Sequence, residues 1–437
     1  MNWVNEIANL TYARSFQGYR INSENQLVDV STGDPVQRSG KLEGDVTVET
    51  NASSLLALQN VTRITGELYI EDNTKLTSLK GLDAIEYIGA VSIWRNSALK
   101  TLDGLGQLRR VGPFQFFGDF EVSSNPKLIS IGSLSKLEYI GDDADIKFND
   151  KLRVIELKML QFVGDNFDVY SNKLATRVAF PNLKAVGHEM EVNRMPNLRA
   201  LDLRHLLQVG SSGLLGVDGI VSTESVYGGE LGIYNLPKLR SLFTLRNLVK
   251  HPYFFNLDIG SGMNKLAGLG NLFRNIKVMN GDVEIDKIKG MTNLAMFADL
   301  IGIKDLEIDN NRLKKIELPN LQRAESLELG DNKGPFPTVV FSAPVLKQID
   351  IIDINLSSKT KKLKVKLGNL RAIGQVPDTF GSYDFLSLMV KKNMFSQFEC
   401  VPLNGCWLYH GYMNCSTEKD KTDAIDAYPF DLDNCLE

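Results

Sequence analysis

The feature that most constrains this 437-residue chain is a pattern written twice between Gly66 and Val111. GELYIEDNTKLTSLKGLDAIEYI is followed directly by GAVSIWRNSALKTLDGLGQLRRV. Gly66 and Gly89 open the copies, Asn73 and Asn96 hold the same place in each, and Leu76, Leu79, Leu82, Ile85 and Ile88 match Leu99, Leu102, Leu105, Leu108 and Val111. Each copy starts with a short alternating run, Leu68-Tyr69-Ile70 or Val91-Ser92-Ile93, which sends two apolar side chains to one face and the middle residue to the other. That is the mark of a strand of about three residues. The leucines that follow recur every third residue, a spacing suited to tight turns or short 3-10 pieces on the return path. No such unit can bury its apolar side chains alone, so the copies stack and share one core. The fold expected is a repeat solenoid: a right-handed, single-sheet parallel β-helix of about 14 coils of about 23 residues, with short 3-10 or helical turns and terminal caps.

The leading glycines carry the register along the chain. They fall at Gly44, Gly66, Gly89 and Gly112 and, after an insertion, at Gly118, Gly141, Gly164, Gly187 and Gly210, with steps of 23 residues from Gly118 onward. Glycine can take positive φ where the chain turns sharply into a strand. Asn73, Asn96, Asn125, Asn149 and Asn172 form a second mark, each between a strand and a leucine. Buried at a turn, such amides would satisfy backbone groups of successive coils; the alternative is ordinary surface turn residues. The insertion adds Phe114, Phe116 and Phe117, which either pack back over the side of the solenoid or present an apolar patch.

Residues 1–43 do not fit the repeat and are assigned to an N-terminal cap. Residues 44–374 form the solenoid, and 375–437 a cysteine-containing C-terminal cap and tail. Between Gly210 and Gly281 the pattern loosens without vanishing, as in Glu230-Leu231-Gly232-Ile233-Tyr234. One array with a loose middle is expected; the alternative is two arrays hinged near residues 211–225.

Charge and cysteine usage restrict the function. With 49 Lys and Arg against 53 Asp and Glu the net charge is −4, which lacks the basic field of a nucleic-acid binder. No apolar run approaches the roughly 18 to 20 residues that span a bilayer, and the start lacks the basic and apolar regions of a signal peptide. The cysteines, Cys400, Cys406, Cys415 and Cys435, all lie at the C-terminal end. Such a cluster reads as a disulfide-closed cap made in an oxidising compartment, the alternative being free thiols on a cytosolic chain, with zinc disfavoured by the lack of a CxxC pair; four cysteines permit three pairings. Sequons at Asn9, Asn51, Asn60, Asn355 and Asn414 permit glycosylation and a secreted assignment, although composition alone would give about as many.

The unit G-x-h-x-h-x-x-N-x-x-L-x-x-L-x-x-L-x-x-h, where h is apolar, resembles the receptor L-domain repeat, a leucine-rich-repeat-like unit. That repeat occurs in ligand-binding ectodomains of insulin- and EGF-receptor-like proteins and in fungal GPI-anchored cell-wall proteins. The consecutive, unembellished coils are more similar to the cell-wall type. The resemblance covers roughly residues 44–374 and implies an L-domain fold; a Cys-rich module, a kinase and a GPI signal are all lacking here, so receptor activity and anchoring do not follow.

Catalysis is not expected. His188, His205, His251 and His410 are scattered, with no neighbouring nucleophile in a strand-turn context. The outward side of the sheet is more informative. If Leu68 and Ile70 point inward, successive strands present Tyr69, Glu121, Asp145, Asp168 and Glu191, then Glu284, Glu307, Glu328 and Asp350. Like charges on adjacent strands repel, so lysines such as Lys147, solvent, divalent cations or a basic partner must offset that cost. The tail adds Asp423, Asp426, Asp431 and Asp433, a possible calcium cluster without the regular aspartate loop of known calcium repeats. The function expected is a non-enzymatic extracellular or cell-surface binding or adhesion module that shows a rigid sheet face to a protein or glycan. A structural subunit of a cell wall, coat or filament, self-assembling, is the alternative, and an intracellular scaffold the third.

Overall fold

A computed structural model of the chain describes residues 18–112, 118–210, 229–249, 256–263, 265–266, 269, 272–288, 291–309, 312–332, 338–349, 351–356, 362–366, 372–373, 388–389, 406–409 and 412–415. The chain divides into two compact units, Met1–Arg240 and Ser241–Glu437. Each is a parallel β-solenoid, and together they make about 12 turns of roughly 23 residues, slightly fewer than the spacing suggests. Residues 211–225, where a hinge was considered, and Phe114, Phe116 and Phe117 of the insertion lie outside the described residues.

In the first unit, strands Asp45–Val48, Val61–Glu71, Tyr87–Trp94, Phe120–Ser123, Ala144–Lys147, Phe167–Tyr170, Met190–Asn193 and Glu230–Tyr234 pair parallel in succession. The register stacks Ile70, Ile93, Val122, Ile146, Val169, Val192 and Ile233 in one fully buried inner column. Burying each such side chain is worth about 1.5–3 kcal/mol, so the core is assembled one coil at a time. The leucine triplets close the return path with the expected tight turns: the Leu82 N–H donates to the Leu79 carbonyl at 3.2 Å, and the Ile85 N–H to that of Leu82 at 3.0 Å. Three return segments also form a small parallel sheet, Val154–Glu156, Arg177–Ala179 and Ala200–Asp202. Ahead of the first coil, Gly18–Ile21 pairs parallel with Asp45–Val48 and antiparallel with Leu27–Asp29.

The leading glycines are needed for two reasons, of which the sequence suggests only one. Gly44, Gly112 and Gly210 do have positive φ, but Gly66, Gly89, Gly164 and Gly187 do not. A Cβ on Gly164 would lie 1.8 Å from the Gly141 carbonyl oxygen, and one on Gly187 the same distance from that of Gly164. Glycine is present there because stacked backbones approach too closely for any side chain.

The asparagines are interior. Asn73, Asn96, Asn125, Asn149 and Asn172 are all fully buried. Each Oδ1 from Asn96 onward accepts the backbone N–H of the asparagine one coil earlier at 3.0 Å, from Asn73→Asn96 to Asn149→Asn172. Their amide groups in turn donate to main-chain carbonyls, such as Asn96 to Ile70 and Asn149 to Val122, both at 2.7 Å. The ladder satisfies backbone groups that the strand exits would otherwise orphan. It follows directly on a column of left-handed residues, Asp72, Arg95, Ser124, Phe148 and Ser171. Each of these costs about 1–2 kcal/mol for a residue with a Cβ.

In the second unit, Asn256–Ile259, Asp282–Asp286, Gly302–Asp309, Arg323–Asn332, Ile351–Leu356 and Leu388–Met389 pair parallel. Strand Lys362–Lys366 belongs to a three-stranded sheet with Thr338–Ser342 and Lys315–Glu317. Cys406–Tyr409 and Tyr412–Cys415 form an antiparallel hairpin. No helix among the described residues is long and apolar enough to cross a membrane.

Candidate functional site on the outward sheet face

Alternation along each strand fixes what the outer face carries, because every residue beside the buried column points away from it. In the first unit the outward column reads Thr47, Tyr69, Ser92, Glu121, Asp145, Asp168 and Glu191, directly opposite one another in register, and ends at Gly232. The sequence-predicted members of this unit therefore do come together. In the second unit Glu284, Glu307 and Glu328 are likewise opposed. The next partner is Asp353, not Asp350: the strand begins at Ile351, so the alternation is displaced from the one read in the sequence. Asp350 itself lies outside the described residues. Asp258, in register with Glu284, extends the column at its other end and was missed because its strand lies in the loosely patterned stretch.

The face of the first unit has two chemically distinct parts. Near its start, Thr47, Glu49, Thr50, Tyr69, Glu71 and Asp72 line a groove of about 540 Å³. The carboxylates here are engaged: Glu49 with Arg20 at 3.2 Å, Glu71 with the Ser92 hydroxyl at 2.7 Å and Asp72 with Arg95 at 2.8 Å. The Arg95 guanidinium also lies 3.7 Å from the Trp94 ring centroid.

Further along, the carboxylates outnumber their partners. Two residues before the strand column stand Asp119, Asp143, Asn166 and Glu189, and one residue earlier again Asp142, Asp165 and His188. The Asp142, Asp143 and Asp165 side chains can bring oxygens within 4.8 Å of one another. A groove of about 270 Å³ runs between the columns, lined by Asp143, Asp145, Asn166, Asp168, His188 and Glu189. Asn166 donates to Asp143 from its backbone at 2.9 Å, and its side-chain oxygen lies 3.1 Å from His188 Nδ1. Lys147 pairs with Asp145 at 2.6 Å, Ser123 donates to Glu121 at 2.6 Å, and the Tyr234 hydroxyl donates to Glu191. Asp168 has no hydrogen-bond or ion-pair partner among the described residues.

Crowding shifts the protonation equilibria. Burial, with Asp145 and Glu191 on either side, pushes Asp168 up to about 6. Burial followed by Asp142 and Asp143 does the same to Asp119. In the second unit burial, then Glu284, Asp309 and Glu328, raises Glu307 to about 7. The bend carboxylates follow a leading glycine in GDDAD and GDN, a signal present in the sequence but overlooked when only strand positions were considered.

The remaining predicted positions divide as follows. Asn51 and Asn60 are exposed, Asn355 lies in strand Ile351–Leu356 and Asn414 in Tyr412–Cys415. The hairpin backbone sets Cys406 directly opposite Cys415. Asn9, Cys400, Cys435 and the tail aspartates Asp423, Asp426, Asp431 and Asp433 lie outside the described residues. No family model and no curated protein matches this chain.

Proposed function

We propose that this chain is a non-enzymatic binding or adhesion module of the cell surface or extracellular space, presenting its rigid sheet face to a protein or glycan. The observation that carries the reading is the outward face of the first unit, where the Tyr69 groove and the in-register carboxylates are held on a scaffold whose inner column is fully buried. Side chains fixed on strands lose little freedom on binding, which favours recognition. The resemblance to receptor L-domains and the confinement of cysteine to the C-terminal end support the extracellular placement.

Two measurements test it. Intact mass of the natively sourced protein, before and after reduction and deglycosylation, is expected to reveal two disulfides and glycan on exposed Asn51 or Asn60; four free thiols and an unmodified mass overturn the placement. A glycan array and surface-protein binding panel is expected to return a ligand whose binding is lost in Tyr69→Ala. Concentration-dependent assembly of the pure chain with no ligand overturns the module reading in favour of a structural subunit.

A further inference from the structure

The antiparallel hairpin near the C-terminal end brings two of the chain's four cysteines together across its strands. Its register sets Tyr409 opposite Tyr412, Leu408 opposite Met413, Trp407 opposite Asn414 and Cys406 opposite Cys415. Only His410 and Gly411 separate the two strands in sequence. With so short a connection, Tyr409 and Tyr412 must exchange both backbone hydrogen bonds, because the other arrangement would bond two adjacent residues to each other. Alternation from that pair makes Leu408–Met413 non-hydrogen-bonded, Trp407–Asn414 hydrogen-bonded and Cys406–Cys415 non-hydrogen-bonded. That last class suits a disulfide. It holds the Cα atoms about 4.5 Å apart, inside the range of about 4.4–6.8 Å that disulfides occupy, and it is the class with the closer Cβ atoms, as a required Cβ separation of about 3.5–4.5 Å demands. The hairpin also has a position that a cross-link would serve. Its second strand, Tyr412–Cys415, neighbours Leu388–Met389, which pairs with Ile351–Leu356 and is the last described strand of the large parallel sheet. The end of such a sheet leaves core and backbone groups open, and a two-stranded hairpin is too weak by itself to cover them securely.

Resting on the extracellular placement proposed above, we infer that Cys406 and Cys415 form a cross-strand disulfide that holds this hairpin against the end of the solenoid sheet. Of the three pairings open to four cysteines, this one leaves Cys400 to Cys435. The oxidant is an external disulfide, such as that of a small thiol in an oxidising compartment. One hairpin thiolate attacks it and expels a thiolate; the second then attacks the mixed disulfide and expels the other. One sulfur–sulfur bond forms as one is reduced, and the two cysteine protons end on the released thiols.

The test is peptide mapping without reduction, on the natively sourced protein and on the pure full chain equilibrated with glutathione and glutathione disulfide. After alkylation and denaturation, chymotryptic cleavage at Tyr409 or Tyr412 is expected to leave one peptide with Cys406 joined to another with Cys415, a link that reduction splits. In Cys406→Ser, the Cys415 thiol is expected to become the one alkylated position. In Cys406→Ser/Cys415→Ser, chymotrypsin under native conditions is expected to cut between Trp407 and Tyr412 roughly tenfold faster than in the parent, and an equal rate overturns the holding role. A bond from Cys406 or Cys415 to Cys400 or Cys435 in the native protein overturns the inference and leaves the extracellular placement standing. Free thiols in the native protein, with the Cys406–Cys415 bond formed in the glutathione couple, overturn the placement and leave the pairing standing. Free thiols in the native protein and no such bond in the couple overturn both.

Discussion

Two stretches of the solenoid close the same turn in different ways. In the first, the residue after the left-handed strand exit is an asparagine through five coils, and its amide ties each coil to the next. In the second, an apolar residue takes that place: Met195 after Arg194 and Leu236 after Asn235, both still in the first unit, and Ile288, 3% exposed, after Lys287 in the second unit. One turn is fastened by directional hydrogen bonds that fix coil-to-coil register, the other by apolar packing, which is indifferent to direction. Coil spacing is not uniform along the ladder: steps of 23, 29, 24 and 23 residues separate Asn73, Asn96, Asn125, Asn149 and Asn172. The ladder stays unbroken across the longest of these steps, from Asn96 to Asn125.

The largest expected effect tests how closely the coils stack. Gly164→Ala would drive a Cβ into the backbone of the previous coil and is expected to cost on the order of 3 kcal/mol or more. Gly302→Ala in the second unit meets only the flexible Arg323 side chain, at 3.0 Å, and is expected to cost about 1 kcal/mol or less. Denaturant midpoints of the two variants compare the units directly; equal losses would remove the distinction.

Next comes the ladder itself. Asn125→Ala leaves the buried Asn96 N–H without its Oδ1 acceptor, removes one donor from the Ile93 carbonyl and opens a cavity, for an expected cost of about 3 kcal/mol. Hydrogen exchange at the Asn96 amide is expected to accelerate in step, whereas Ile288→Val, at the apolar turn, is expected to cost about 1 kcal/mol. An unchanged exchange rate at Asn96 would mean that the ladder does not hold the coils.

The carboxylate columns give a smaller, pH-dependent difference. Glu307 titrates higher in the folded protein, at about 7, than its ordinary value of 4.5, so between these values the folded state binds more protons than the unfolded. Stability is therefore expected to fall as pH rises through that window and to level off above it. Glu307→Gln, measured by thermal melts from pH 4.5 to pH 7, is expected to flatten that part of the profile. A profile identical to the parent's would show that neighbouring groups carry the dependence.

The smallest effect sharpens the comparison. Met195→Asn would continue the ladder by one rung beside Asn172 and is expected to change stability by about 1 kcal/mol or less in either direction, since a hydrogen bond replaces buried apolar surface. Protection of the Asn172 amide from exchange is expected to rise even if the midpoint does not move.

Much of this was legible from the repeat alone. A period near 23 with alternating and every-third apolar positions leaves a stacked coil as the way to bury Leu68, Ile70, Leu76 and Leu79 together, so the sequence determined the coil, its inward and outward residues, and the alignment of Glu121 with Asp145, Asp168 and Glu191. These are local consequences of period and polarity. What only the tertiary structure decided involves contacts between coils. Gly164 owes its place to a carbonyl one coil away rather than to its own φ, and Asn125 owes its burial to amides above and below it. Asp353 opposes Glu328 through strand register, and Asp142, Asp143 and Asp165 converge because bends, as well as strands, stack. A sequence states what each coil must bury; the distance between neighbouring coils, which sets both steric exclusion and the crowding of charge, exists only once they are stacked.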